Sequence, residues 1–218
     1  MVERSAAMAF APGAFVFPGG RVDTGDRELA AQPGDAEEAA KVAAIRETIE
    51  ETGIALALTP APSLDKAARL RRPLLAGEAF ATLLHDHALE LSPSVLTPFA
   101  RWSPGPEVSR RFDTRFFIAA APDAAEPHVI AGECVSARWT TAVQMLEDAA
   151  RGFVRLIFPT RKNLERLAPL DSFSAIVEHA RTHPVEAITP QVQAGYITIP
   201  EGLGYPITRD PIEEVRRG

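Results

Sequence analysis

Residues 35–53 constrain this chain more than any other stretch. The apolar residues Val42, Ile45 and Ile49 recur at i, i+3 and i+7, the spacing of one face of an α-helix. Asp35 is of the N-cap type, and Glu38 three positions on completes a capping-box pattern. Gly53 fits the position just past a helix end, where the backbone turns left-handed. The sequence therefore predicts a helix starting at Asp35 and ending at Gly53. On it Glu47, Glu50 and Glu51 stand at i, i+3 and i+4 and share one face, roughly opposite the apolar one. Such a helix packs on a sheet and presents three carboxylates on its other side.

That carboxylate face is unfavourable on its own. Like charges at i, i+4 cost about 0.2–0.5 kcal/mol per pair. Glu50 and Glu51 also fall in the last turn, where the negative end of the helix dipole costs a carboxylate about 0.3–1 kcal/mol. A divalent cation reverses both penalties. Hard oxygen donors with no His or Cys nearby favour Mg²⁺, with Mn²⁺ as a substitute, over Zn²⁺. Arg46 can reach Glu50 one turn on and orient its carboxylate. The competing reading is a solvated acidic helix face, which is what most charge runs are.

The remaining sequence sets bounds. A length of 218 residues allows one domain with a large insertion. With 46% hydrophobic and 24% charged residues the chain reads as globular. A formal net charge of −6 disfavours nucleic acid and anionic membranes as partners. An acidic protein that handles phosphates needs bound cations to do so. The single cysteine, Cys134, excludes an intrachain disulfide and reads as a small packed strand residue. No run approaches the roughly 18–20 apolar residues of a membrane span. The first residues carry no signal-peptide pattern, so the expected compartment is cytoplasmic.

Along the chain, residues 14–17 read as a strand stopped by Pro18-Gly19-Gly20, and residues 21–34 as a polar loop. Residues 54–58 read as a weak strand. Residues 64–75 and 78–89 read as short helices of an insertion. Strands are expected at 99–102, 111–120 and 133–139, and helices at 141–151, 160–168 and 171–182. A strand-like piece, 196–199, lies in the tail after Pro184. Trp102 and Trp139 are assigned to packing. His85 and His87 fall on helical text that would not align them for a metal, and His128, His179 and His183 have no constellation around them.

The stretch resembles the Nudix box, G-x5-E-x7-R-E-U-x-E-E-x-G-U with U aliphatic. Glu38, Arg46-Glu47, Glu50, Glu51, Gly53 and Ile54 all fall in place, and Phe17-Pro18-Gly19-Gly20 looks like the strand-turn before the box. Two departures stand out. Residues 21–37 separate Gly20 from Glu38, a longer loop than the pattern has, and Thr48 occupies a normally aliphatic position. The long loop, Ala-Ile-Arg-Glu-Thr, the helical insertion and Arg110-Arg111-Phe112-Asp113-Thr114-Arg115-Phe116-Phe117 look like the branch that contains the peroxisomal coenzyme A diphosphatases. The resemblance covers about residues 3–170.

The resemblance implies an α/β (α+β) Nudix fold, with a mixed sheet sandwiched between helices. One domain would span 1–218, with a helical insertion at about 60–100 and a helical, wrapping segment at about 160–218. It implies a Mg²⁺-dependent hydrolase that cleaves a diphosphate linkage in a nucleotide-type small molecule, with coenzyme A or acyl-coenzyme A leading. Glu47, Glu50 and Glu51 would ligate the metal, joined by the Gly19 carbonyl. Either Glu47 or Glu133 would take a proton from the attacking water; Glu133 reads equally well as an exposed hairpin carboxylate. One of Arg110, Arg111 and Arg115 would contact substrate phosphate, or these residues pair with Asp113 or the acidic helix. The alternatives are a nucleotide-binding module without turnover and an interaction domain whose acidic helix meets a basic partner. The intact box carboxylates argue against the first, and Arg46 and Gly53 against the second.

Related proteins begin with a longer strand than Met1-Val2-Glu3-Arg4 supplies. An exposed sheet edge there would invite pairing. The expectation is that the chain's own Tyr196–Ile199 covers it, or a second subunit in a homodimer.

Overall fold

The structure, a computed structural model, describes residues 1–103, 112–130 and 132–217. It is a mixed α+β fold, as the resemblance implies. In chain order the elements are β1 (Val2–Arg4), β2 (Ala14–Val16), α1 (Thr24–Leu29), α2 (Ala36–Thr52), β3 (Leu58–Thr59), α3 (Leu64–Leu75), α4 (Phe80–Asp86) and β4 (Glu90–Leu91). After a 3-10 turn at Pro93–Val95 come β5 (Thr97–Trp102), β6 (Thr114–Ile118), β7 (Cys134–Ala137), α5 (Ala142–Ala150) and β8 (Arg155–Leu156). The chain then runs through α6 (Phe158–Leu167), α7 (Phe173–Thr182), β9 (Ala187–Ile188), β10 (Gln191–Gln193), β11 (Tyr196–Thr198), β12 (Arg209–Pro211) and α8 (Ile212–Arg217).

Contacts divide the chain into two compact units. The first comprises residues 1–12, 17–96 and 119–139. Its β1 pairs antiparallel with β7, Val2 opposite Ala137 and Arg4 opposite Cys134, with a bulge between Glu3 and Arg4. β3 pairs antiparallel with β4. α2 packs against α1 and α3, and its apolar face is the one the spacing predicts: Val42, Ile45 and Ile49 are fully buried. Each such burial stabilises the fold by about 1.5–3 kcal/mol.

The second unit comprises residues 13–16, 97–118 and 140–218. Here β5 pairs antiparallel with β6 and parallel with β9, and β2 pairs parallel with β8. α7 packs on β5, and Phe99, Trp102, Ile188, Ile199, Leu203 and Tyr205 close a core around it.

Three expectations need correction. Residues 21–34 are not all loop, because α1 lies within them. Asp23 accepts from the Asp26 amide at 2.8 Å and Asp26 accepts from the Asp23 amide at 3.0 Å, a reciprocal cap built from two aspartates. The helix was missed because six residues containing Gly25 show no apolar period. The weak strand at 54–58 reduces to Leu58–Thr59. Finally, β11 does not cover the N-terminal strand. It sits between β10 and β12 in an antiparallel sheet of its own, while β1 pairs with β7.

Candidate active site

α2 starts at the expected Asp35 cap, but the reciprocal half of the capping box is not made by Glu38, since the Asp35 amide donates to the Gln32 carbonyl at 3.1 Å. Asp35 accepts from the amides of Glu37 and Glu38 at 2.9 and 3.0 Å. It ends at Gly53, whose φ of 77° is left-handed and whose amide donates to Ile49 at 2.8 Å. The last two turns carry Arg46, Glu47, Glu50 and Glu51.

Arg46 is buried and organises its neighbours. Its Nε and Nη2 donate to the two oxygens of Asp26, both at 2.9 Å, and Nη2 also donates to the Arg21 carbonyl at 2.9 Å. Its Nη1 donates to Glu47 at 3.0 Å and to Glu50 at 3.1 Å. The reach to Glu50 is the one expected, and Glu47 joins it. Burial alone would lower the Arg46 pKa, but the Asp26 bond and the charges of Glu47, Asp26 and Glu50 hold it above the usual arginine range.

The carboxylates lean on the Gly19-Gly20 turn. Glu51 is buried; it accepts from the Gly19 amide at 2.9 Å and from the Cys134 thiol at 3.5 Å. Gly19 has φ 156°, a conformation side-chain-bearing residues rarely adopt. A Cβ on Gly20 would collide with the Glu47 carboxylate. A side chain at 20 would therefore push the Glu47 carboxylate from its place beside Arg46, a reason for glycine that the sequence did not disclose.

All three carboxyl pKa values are raised. Desolvation is the largest cause at Glu47, pushed up to about 7, with the Arg46 charge opposing it and the Glu50 charge adding to it. Burial also raises Glu50 against the pull of Arg46, and raises Glu51 against the Gly19 amide. Among the described residues no three His, Cys, Asp or Glu side chains are gathered closely enough to hold an ion. The donor set nonetheless suits a hard divalent cation: it is all carboxylate, shares one helix end, is partly desolvated and has one guanidinium to offset it.

Other expected site residues fall as follows. Glu133 is exposed just before β7, and its charge contributes to raising Glu51. Arg115 lies on β6 opposite Arg101, and its Nη2 is 4.0 Å from Asp113, whose two carboxylate oxygens accept from Arg101 Nε and Nη2 at 2.7 and 2.8 Å. Arg110 and Arg111 lie outside the described residues. Trp102 is buried in the second unit's core, and Trp139 donates to the Ala125 carbonyl at 2.7 Å. Cys134 is buried, and burial followed by the Glu51 charge pushes its thiol up to about 12, so it stays protonated. His179 does have a constellation: its Nε2 accepts from Arg166 at 3.0 Å and its ring lies 4.2 Å from that of His183.

Sequence reasoning missed Asp26, Arg71 and Arg4. Asp26 anchors Arg46. Arg71 bonds the backbone of Glu50 and Glu51. The Arg4 charge favours the ionised form of Glu51. Asp26 and Arg71 meet their partners across 20 or 21 positions, so no local pattern marks them.

No family model matches the chain. Its fold is similar to the crystal structure of a Nudix hydrolase from Alicyclobacillus acidocaldarius, with a TM-score of 0.69 and 30% sequence identity. That match covers 80% of this chain and 85% of the other. The chain belongs to the Nudix hydrolase family.

Proposed function

We propose that the protein hydrolyses the diphosphate linkage of a nucleoside diphosphate derivative in a divalent-metal-dependent reaction, with coenzyme A or acyl-coenzyme A as the leading substrate. The observation that carries this reading is the end of α2, where Arg46 holds Glu47 and Glu50 and the Gly19 amide holds Glu51.

Glu47, Glu50 and Glu51, with the Gly19 carbonyl, are the residues that would hold Mg²⁺ or Mn²⁺. When bound, such an ion supplies charge neutralisation for the diphosphate and acidifies a coordinated water. The chain's own contribution is orientation. Arg46 holds the Glu47 and Glu50 side chains, while Asp26 holds Arg46 from behind. The Gly19 amide holds Glu51. Glu47 and Glu133 are the two candidates for accepting the water's proton. Arg110, Arg111 and Arg115 are the candidates for phosphate contact.

The test is a substrate panel with Mg²⁺: coenzyme A, acyl-coenzyme A, ADP-ribose, NADH and dinucleoside polyphosphates, with products identified by mass in ¹⁸O-labelled water. The reading expects two phosphorylated fragments, both phosphomonoesters where the substrate has a single diphosphate linkage, with a single solvent oxygen on one of them. No cleavage of any member would contradict it, and cleavage of another member in preference to coenzyme A would redirect the substrate.

A further inference from the structure

We propose that Arg71, carried by α3, is a positioning residue that fixes the backbone from which Glu50 and Glu51 project. This rests on the functional reading above.

The last carbonyls of a helix have no amide partner within the helix and must be satisfied from outside. In α2 the two carbonyls supplied by Glu50 and Glu51 themselves are taken by one guanidinium. Arg71 Nε donates to the Glu50 carbonyl and Arg71 Nη2 to the Glu51 carbonyl, each at 3.0 Å. The next carbonyl, Thr52, accepts from the His128 amide at 2.8 Å. The fork of an arginine matches two adjacent carbonyls in a way a lysine cannot. Its charge also sits at the negative end of the helix dipole.

Arg71 is only 6% exposed, so this contact is part of the packed interior of the first unit. Gly53 makes room for it. A Cβ at that position would stand 3.3 Å from Arg71 Nη1 and 3.6 Å from its Cδ. Gly53 thus serves two needs, the left-handed turn and the close passage of the guanidinium. The segment between 60 and 100 is tied through this side chain to the carboxylate-bearing helix end.

A plain helix cap would contribute stability alone; a positioning residue also changes what the carboxylates hold. The experiment compares wild type, Arg71→Gln, Arg71→Lys and Leu70→Ala as full chains. Leu70, fully buried on the same helix, serves as a control that removes stability without touching α2's carbonyls. Mn²⁺ binding is measured by electron paramagnetic resonance, hydrolysis by kcat and KM, stability by denaturant unfolding, and fraying of residues 47–54 by hydrogen exchange in chelator.

Arg71→Gln should weaken Mn²⁺ binding and lower kcat by about 10- to 100-fold, the usual range for groups that orient metal ligands. KM should change little, exchange at 47–54 should quicken, and Arg71→Lys should recover part of the loss. Leu70→Ala should be less stable with Mn²⁺ affinity unchanged. The proposal is overturned if Arg71→Gln binds Mn²⁺ and turns over like wild type, or if Leu70→Ala loses as much Mn²⁺ affinity. Should Arg71→Gln not fold, a folded Arg71→Lys with wild-type Mn²⁺ affinity overturns it equally. A wild type that binds Mn²⁺ but cleaves no diphosphate defeats the functional reading and leaves the positioning role to the binding and exchange arms. A wild type that binds no Mn²⁺ defeats both.

Discussion

α2 and α6 each bury basic side chains, and the two helices balance them in opposite ways. In α2 one guanidinium, Arg46, faces Asp26, Glu47 and Glu50 within hydrogen-bond distance, with Asp23 at 3.7 Å. Negative charge is in surplus there, and burial first, with the Glu50 charge adding to it against Arg46, raises Glu47 to about 7. In α6 Lys162 is fully buried between Glu165 and Asp210. Arg166, also buried, meets no carboxylate within ion-pair reach among the described residues. It donates to the Phe99 carbonyl at 2.6 Å and to His179 at 3.0 Å, and stacks over the Phe99 and Tyr205 rings at 4.1 and 5.2 Å. The α6 charges are met by groups of their own unit, although Arg166 Nη2 and Asn163 Nδ2 stay buried without a hydrogen-bond partner among the described residues. The α2 cluster is short of positive charge, and a bound cation would make up the difference.

The largest effect that could sharpen this contrast is catalytic. Glu50→Gln or Glu51→Gln should lower kcat by at least about 10²-fold, since each removes a charged oxygen from the proposed metal set. Circular dichroism and the melting temperature in chelator should show the fold intact. Near-wild-type turnover by either variant would break the assignment.

Next in size is stability. Lys162→Met leaves Asp210 buried without its cation and should cost about 3–5 kcal/mol in denaturant unfolding, with Mn²⁺ affinity untouched wherever the protein remains folded. A variant as stable as wild type would show that the α6 pair is not what closes that interior.

Glycine substitutions give a finer comparison. Gly20→Ala and Gly204→Ala each force a methyl into occupied space. The first meets Glu47; the second meets His179 Nε2 at 2.7 Å and Arg166 Nε at 2.9 Å. Gly204→Ala, strained also by its φ of 83°, should cost about 1–3 kcal/mol of stability. Gly20→Ala should cost less, since it need only displace the Glu47 carboxylate, but it alone should also weaken Mn²⁺ binding. Equal effects of the two on metal affinity would erase the distinction between the clusters.

The pH dependence of the metal-free protein separates the two clusters once more, because their signs oppose. Glu47 is raised from 4.5 to about 7. The native state therefore holds its proton longer than the unfolded chain, and stability present below pH 4.5 is lost as pH climbs towards 7. His179 is lowered from 6.5, by burial first and then by Arg166 and His183. Its contribution is present above pH 6.5 and is lost as pH falls through its depressed value. Melting curves in chelator should show Glu47→Gln gaining on wild type as pH rises towards 7. His179→Gln should gain on wild type as pH drops below 6.5. Parallel pH profiles for wild type and both variants would contradict the two assignments.

What could be read in advance follows from how local each signal is. α2 was legible because its cap, apolar period and terminal glycine all lie within residues 35–53, and the three carboxylates come with it. α1 was not, since two aspartates capping each other across Gly25 carry no periodic signature. The anchoring of Arg46 by Asp26 and the hold of Arg71 on the α2 carbonyls arise only when separate elements pack. α6 was legible as a helix at 160–168 but not in its burial: Lys162, Asn163 and Arg166 are among the most buried side chains of the described residues. Composition cannot show which face of such a helix turns inward.

The central claim is that the end of α2 is completed by a divalent cation. Its most direct test is the melting temperature of chelator-stripped protein titrated with Mg²⁺ or Mn²⁺, wild type beside Glu50→Gln/Glu51→Gln. A ligand that binds only the native state adds about 2.7 kcal/mol at a hundred times its Kd. The wild type should show a saturable rise in melting temperature and the double variant little or none. A wild type indifferent to both metals, or a double variant stabilised as much as the wild type, would contradict it.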